Sequence, residues 1–562
     1  MKNYIFLFSL LLITAACRES DLMVDSIEIQ AKDAVKKEYL SEDELNIRMD
    51  QLAIKNKNRF NWKLADDEML YAGLKHAQDK DILMVGYGPQ NQKDEYAWDL
   101  NQSKSKEFLE IRAAVLKLVF EIESKSNKKL KNPEDLVIAE SKEMPNFDLT
   151  VTELETIQAL RKSGLVRYME VAYIPENYLK DDGKPKQGRL IPNNFGCGRY
   201  WGVTGQQLGY DYYERFRQRV SWQLYDHEVM SAWNTGATGR AASGKRFTIG
   251  YIDTGLSSAQ PIMNQNFASG SESAGRQVYS FCSIPDGRGG VLSPEDDCGH
   301  GTCSASIGTS PAYDNKLIGV AFKANLVSVK GAFDVVLSEH QEYRGVANAF
   351  SGLGSLNVDI ISMSMGTVVV QSIFTPDSYT VDINTIIDGV KFAKNRNKII
   401  FCAAGTLNRY SYNHPLKNII IFPANMNEDV WAVTGVTRQT DFNSNGIPLN
   451  QYRNIRNCTE CFHHPDVDFG VVNEKFTHAA TNMLALQKAS SDVPTQFGGS
   501  SSATAMMSAM VLSVWSRYPT LTDDQIMRHI IHYSTHPQNR DSRVGHGLLN
   551  MYEATRYATP VY

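Results

Sequence analysis

The run from Gln496 to Pro519 constrains this chain more than any other stretch. After Gly498 and Gly499 it reads Ser500-Ser501-Ser502-Ala503-Thr504-Ala505-Met506-Met507-Ser508-Ala509-Met510-Val511-Leu512-Ser513-Val514-Trp515, small or apolar at every position. A helix apolar all round has no face to offer water, so it must lie inside a core. The glycines supply a turn into it, and Pro519 punctuates its end. A serine at such an entrance can project its hydroxyl into a cleft. Unpaired N–H groups of the first turn lie beside it and can stabilise an oxyanion. Serine is also a common N-cap, so the remainder of the chain has to decide between the two roles.

With 562 residues the chain has room for two or three domains. Hydrophobic residues at 42% and charged residues at 22% are ordinary for a globular protein, and a net charge of −5 gives no reason to expect nucleic acid as a partner. Lys2 and an apolar run from Tyr4 to Ile13, followed by Thr14, Ala15, Ala16 and Cys17, read as a secretory signal over residues 1–16. The segment ending in Cys17 resembles a bacterial lipobox, with Thr14 where that motif prefers leucine. It implies lipidation of Cys17 and a place at the outer membrane, the cell surface or in the periplasm, the membrane being touched only through that anchor. The alternative is cleavage after Ala16 and a soluble secreted protein. Seven further cysteines remain, at 197, 282, 298, 303, 402, 458 and 461. In an exported protein some should pair, and an odd number leaves at least one free.

Residues 17–80 are polar with helical spacing (Leu45, Met49, Leu52) and read as a tether or surface helices. Residues 81–175 carry strand, helix, strand, helix and strand patterns in that order: Ile82–Tyr87, Ser105–Ser124, Leu136–Ala139, Val151–Lys162 and Val166–Ile174. That order suits a small α+β domain of the ferredoxin-like kind with its fourth strand unassigned. Residues 176–215, rich in Lys, Gly, Asp and Pro at their start, read as an exposed linker where processing is physically easiest. The remainder, 216–562, is the main domain.

Within it, the apolar run Phe247-Thr248-Ile249-Gly250-Tyr251-Ile252 ends in Asp253-Thr254-Gly255, an aspartate at the C-terminal end of a buried strand. An aspartic protease needs two carboxylates sharing a proton, and the chain has no second Asp-Thr-Gly or Asp-Ser-Gly. Next comes Gly299-His300-Gly301-Thr302-Cys303, a histidine between glycines at a helix start. His463 and His464 beside Cys458 and Cys461 suggest either a metal site or a disulfide with loop histidines. Asp253, His300 and Ser501 form the set needed to deprotonate a serine through an oriented imidazole. Their chain order differs from that of the α/β-hydrolases, where the serine comes first in a Gly-x-Ser-x-Gly elbow.

These motifs resemble those of the subtilisin-like serine proteases. Asp253-Thr254-Gly255, His300-Gly301-Thr302 and Gly499-Ser500-Ser501-Ser502-Ala503-Thr504-Ala505 match the family's aspartate, histidine and serine motifs, the last making Ser501 the nucleophile. Gly319-Val320-Ala321, Pro423-Ala424 and Gly545-His546-Gly547-Leu548-Leu549-Asn550 resemble its connecting segments, and Leu165 to Val171 resembles the end of its propeptides. The resemblance implies an α/β fold of three layers around a mostly parallel sheet, preceded by a ferredoxin-like prodomain that acts as inhibitor until it is cut off. It implies an exported serine endopeptidase acting on proteins or peptides, with its own prodomain as partner. No cofactor is required for such chemistry. Structural calcium is implied by the family alone, and no metal-ligand cluster stands out. Substrate would pair along Ser362–Gly366, with Ser364, Met365 and Gly366 as binding residues. Two features depart from the family, the lesser being Ala505 where the serine motif has proline, a harmless change. Thr406 follows Ala403-Ala404-Gly405 where an oxyanion-hole asparagine is usual; losing one such donor costs about 10²–10³ in turnover, as measured in a subtilisin. Thr406 or Asn408 could compensate; otherwise the chain is a weakly active or inactive binding scaffold. The stretch from Thr437 to Val493 reads as a long polar insertion that shapes access or forms a surface loop. Cys303, one helical turn after His300, is either a small buried cysteine or a thiol through which mercurials would crowd the imidazole.

Overall fold

Seven parallel strands form the centre of the molecule. Their spatial order is Phe469–Glu474, Trp431–Thr437, Ile399–Ala403, Ile360–Met363, Thr248–Asp253, Asn325–Lys330, Val278–Cys282. They come from a computed structural model describing residues 39–89, 104–175, 196–197, 202–264, 271–372, 374–375, 378–406, 418–438, 456–475, 482–489 and 493–562. Arg456–Asn457 adds a short antiparallel pairing at one edge.

Strand Thr248–Asp253 is buried at every position, as expected for a parallel strand covered on both faces. Alternate side chains serve opposite layers. Ile249 and Tyr251 join a cluster with Ala503, Met506 and Met510 of helix Gly499–Arg517 and with Cys303 and Ile307 of helix His300–Thr309. Ile252 points the other way, into a cluster with Val346, Phe350 and Leu353 of helix His340–Ser355 and Val390 of helix Asn384–Lys394. The three-layer α/β architecture implied by the motifs is therefore the one observed. The strand from 248, first of the seven in the chain, lies in space between the third and the fourth, so the strand order reverses beside it. Such a switch point opens a crevice at the carboxyl ends of the strands.

The N-terminal portion forms a four-stranded antiparallel sheet in the order Val137–Glu140, Asn146–Thr150, Ile82–Tyr87, Val166–Glu170. Helices Lys106–Ser126 and Leu154–Ser163 connect the strands in ferredoxin-like order. The strand missing from the sequence reading is Asn146–Thr150. Its Asn146 and Asp148 break the apolar pattern, yet both are fully buried because they meet charge from the main domain. The fully buried Arg344 donates to Asp148 Oδ2 at 3.1 Å and also bonds Asp148 Oδ1 and Asn146. Asp388 accepts Arg167 through both guanidinium NH₂ groups (2.8 and 2.7 Å), Tyr168 Oη (2.8 Å) and Asn146 Nδ2 (2.8 Å). Glu170 accepts the N–H groups of Asn384 and Thr385 at 2.6 and 2.7 Å, capping helix Asn384–Lys394. Apolar packing runs on without a break, since Leu83, Phe147 and Met169 belong to the same cluster as Ile252 and Phe350.

Two expectations change here. Of the two readings of residues 17–80, tether or surface helices, helices are observed from Tyr39 onward, but packed into the core: Glu42–Lys55 and Asp67–His76 bury Leu45, Met49, Met69 and Leu74, and Arg59–Asn61 pairs parallel to Ser378–Asp382. Residues 1–38, with the signal, Cys17 and the start of that tether, lie outside the described residues. The boundary at 215/216 also moves. The hairpin Tyr212–Arg215/Gln218–Ser221 straddles it, and Gly202 already bridges to Thr495.

The Thr437–Val493 stretch is not an inserted loop. It supplies the edge strand Phe469–Glu474 and the pair Met483–Ala485/Thr495–Phe497. Its overall polarity hid the short apolar run Phe469-Gly470-Val471-Val472. Residues 439–455 and 476–481 lie outside the described residues. Among the described residues no helix is long and apolar enough to cross a membrane.

Candidate active site

Asp253 ends its strand, and helix His300–Thr309 begins directly above it. The two motifs interlock through their small residues. A Cβ on Gly301 would collide with the Gly255 carbonyl, so only glycine lets the loops approach this closely. Gly301 N donates to Thr254 Oγ1 at 2.9 Å, which itself donates to Asp296 Oδ1 at 2.8 Å. Asp296 also receives Gly299 N (2.7 Å), Thr302 N (2.8 Å) and Thr302 Oγ1 (2.6 Å). This buried carboxylate holds both loops and was missed in the sequence; its only signal was its place four residues ahead of His300.

His300 Nδ1 lies 2.7 Å from Asp253 Oδ1. Asp253 Oδ1 also receives Thr254 N (2.8 Å), and Oδ2 receives Ser304 Oγ (2.9 Å), a second contributor not foreseen. The imidazole is 3% exposed and packs edge-to-face on Phe497 with centroids 4.8 Å apart. Burial alone pushes its pKa down. The adjoining Asp253 carboxylate, with Asp296 and Asp334 behind it, outweighs burial and leaves the imidazole more basic than an ordinary histidine.

Ser501 stands in the first turn of helix Gly499–Arg517 and is partly exposed, while Ser500 and Ser502 are buried. Ser501 Oγ donates to the Ser364 carbonyl at 3.1 Å, and Ser364 Oγ donates to the Ser501 carbonyl at 3.0 Å. Ser501 and Ser364 are thus locked face to face. The Ser501 N–H lies in the first turn and has no acceptor within the helix. Thr406 sits against the same turn, but its hydroxyl is engaged there: Oγ1 accepts Ser500 N at 2.9 Å and lies 2.9 Å from Ser500 Oγ, which in turn accepts Gly405 N at 3.1 Å. Thr406 therefore fastens the serine turn. Asn408 falls outside the described residues. Asn473, from the misread insertion, supports the turn from below by donating to the Gly499 carbonyl and to Ser502 Oγ.

Ser362 and Met363 belong to the interior of the central sheet, paired on both sides, so no substrate can pair with them. Ser364, Met365 and Gly366 lie beyond the end of that strand and are buried, and Gly366 N already donates to Val335 O at 3.1 Å.

The cysteines resolve as follows. Cys197 pairs with Cys298, two residues ahead of His300, and Cys458 pairs with Cys461, which removes the thiolates a Cys/His metal site would need. Cys282, Cys303 and Cys402 are free and buried. Burial holds the Cys303 thiol far up toward its protonated form, and with no exposed surface it is the small core cysteine. Mercurials are expected to leave the folded protein's turnover unchanged; rapid inhibition relieved by Cys303→Ala would refute this. Among the described residues one group has the composition of a metal site, Cys197, Cys298 and Asp334. Two of its members are the disulfide, and one carboxylate is not the oxygen-rich shell calcium takes.

Residues 244–547 match the Subtilase family. The chain belongs to that family. This subtilase is similar to the "Thermostable alkaline protease" of Halalkalibacterium halodurans, with 26% identity over 345 residues, 60% of this chain and 74% of that protein. Among solved structures it is similar to MycP1 from Mycobacterium smegmatis, at 18% identity and a TM-score of 0.44, covering 66% of this chain and 92% of that one. It is similar also to the MycP3 protease from the type VII (ESX-3) secretion system, at 17% identity and a TM-score of 0.42, covering 63% and 91%.

Proposed function

We propose that this subtilase is an exported serine endopeptidase whose triad is Asp253, His300 and Ser501. The observation that carries the reading is the buried Asp253–His300 bond at the switch point of the sheet, above a core helix that presents Ser501 at its N-terminus. The Ser501 hydroxyl rotates from the Ser364 carbonyl to His300, which takes its proton as oxygen attacks the scissile carbonyl. Asp253 holds the Nδ1 proton and stabilises the imidazolium. The Ser501 N–H and the positive end of its helix receive the oxyanion, and Thr406 keeps that turn in place. His300 gives that proton to the departing amine as the C–N bond breaks, and the acyl-enzyme left on Ser501 is hydrolysed by water that the same imidazole deprotonates. Substrate adds as a strand along Ser364–Gly366, displacing the Val335 carbonyl from Gly366.

The N-terminal domain is the chain's own inhibitor, and the linker at 176–215 is its processing region. Residues 1–16 direct export, and Cys17 is the lipid anchor. Thr406, spent on Ser500, is the one observation favouring a weakly active scaffold instead.

A fluorophosphonate probe tests this directly. Stoichiometric labelling mapped to Ser501 is the expected result, and no labelling of the folded, processed protein would overturn the reading. The pH profile is a second test. Activity needs neutral His300, and its pKa is raised. The acid limb of kcat/KM should therefore fall above about pH 6.5, the ordinary histidine value. The stabilising effect of protonating His300 should be complete below about pH 6.5 and vanish as pH rises through the higher folded value.

A further inference from the structure

We infer that Ile421 fills the pocket for the substrate residue that supplies the scissile carbonyl, so that this protease cuts after small side chains such as alanine, serine or glycine. The inference rests on the peptide-hydrolysis reading above and narrows its substrate class.

The position of that side chain follows from the site. Attack places the carbonyl carbon at Ser501 Oγ and its oxygen near the Ser501 N–H, while the substrate backbone lies along Ser364–Gly366. The side chain on the adjoining Cα must then descend between segment 364–366 and segment 403–405, the latter fixed to the serine turn through Gly405 N and Ser500 Oγ at 3.1 Å. Each wall carries a glycine there, and both glycines face the same residue. A Cβ on Gly366 would stand 2.5 Å from Ile421 Cδ1, and one on Gly405 would stand 3.0 Å from Ile421 Cγ2 and overlap the Phe462 ring. One isoleucine thus spans the space from wall to wall.

Nor can it withdraw. Ile421 N donates to Ala404 O at 3.0 Å and Thr367 N donates to Phe422 O at 2.9 Å, so the backbone at 421–422 is bonded to both walls. Phe462, 3% exposed, backs Gly405. A β-branched side chain has little χ1 freedom with which to swing aside. Ile421 keeps partial exposure, as the floor of an open recess does. A large residue entering here meets methyl groups where a deep subsite would offer space.

The test compares two blocked tripeptide anilides differing only in their last residue, alanine or phenylalanine. They are cleaved by the purified full-length protein and by Ile421→Gly and Ile421→Ala. Rates are expressed per fluorophosphonate-labelled Ser501. Wild type should favour alanine by at least about tenfold in kcat/KM, since even one methylene is worth roughly 10–200-fold in such a pocket. Either variant should raise the phenylalanine-to-alanine ratio by at least about tenfold. The inference is overturned if labelled wild type cleaves both substrates equally well, or if labelled variants keep the wild-type ratio. The wild-type ratio alone is decisive should both variants fail to fold. A wild type that takes no label and cuts neither peptide overturns the peptide-hydrolysis reading itself, and this assignment with it.

Discussion

Replacing Ser501 by alanine is expected to lower peptide turnover by about 10⁶, the loss that a subtilisin shows when its nucleophile is removed. The neighbouring serines make this a demanding prediction, because three stand in a row and all have hydroxyls. Their bonds separate them. Ser500 Oγ is held by Gly405 N and Thr406, and Ser502 Oγ donates to the Gly499 carbonyl at 3.1 Å. Only Ser501 combines exposure with a hydroxyl whose sole bond is one that substrate approach can replace. Ser500→Ala and Ser502→Ala should therefore retain measurable turnover. The Ser501→Ala chain should also keep its 176–215 linker whole while wild type is cut. A Ser501→Ala protein that still hydrolyses peptide within tenfold of wild type would sink the triad assignment.

Asp388→Ala is expected to cost about 3–5 kcal/mol of stability, because removing one member of a buried pair strands its partner. Asp388 has no exposed side-chain surface, and Arg167 has only 5% of its own. Loss of the carboxylate leaves that guanidinium, the Tyr168 hydroxyl and the Asn146 amide without their shared acceptor. A buried charge that has lost its carboxylate, with the Tyr87 and Pro145 carbonyls among its remaining acceptors, is the expensive outcome, more so than the loss of the attraction itself. The effect should be read at the junction of the two domains. In denaturant, the N-terminal domain of the variant should part from the main domain well before wild type does. After cleavage before Cys197, or under reducing conditions, it should no longer co-purify. Equal midpoints for the two proteins would mean the network contributes little and that apolar contact alone holds the junction. Arg344→Met with Asp148→Leu is the complementary design. Replacing both charges with apolar groups of similar size should cost far less than either single change.

What the sequence revealed depended on the kind of signal each element carries. Asp253, His300 and Ser501 stood out as candidates because the chemistry they suit forces particular residue types into short motifs, and glycine beside His300 has a steric cause that the interlocked loops display. The core helix was legible because every residue from Ser500 to Ser516 is small or apolar and none is charged. Asp296 was not legible. A lone aspartate ahead of a histidine looks like surface, and only folding reveals that it receives four hydrogen bonds from both motifs. Strand Asn146–Thr150 failed for a related reason, since its buried polar residues answer Arg344 and Asp388 some 200 positions away. Helix Glu42–Lys55 was legible as a helix from the spacing of Leu45 and Met49, but its strongly charged exposed face hid that Leu45, Met49 and Ala53 pack into the core. Nor could the role of Ile421 be read off, as nothing in its neighbourhood says that it lies between Gly366 and Gly405.

The bond between Cys197 and Cys298 would give the molecule a built-in record of any cut in this region. A cut before Cys197 frees an N-terminal fragment that only packing retains. A cut between Cys197 and Cys298 leaves both pieces joined through sulfur until a reductant is added, so paired gels with and without thiol would locate the event to one side of a single residue. The same bond ties the peptide leading into His300 to the linker, and such bonds persist only in oxidising compartments. Chain that lingers in a reducing cytoplasm would lack this clasp beside its own histidine.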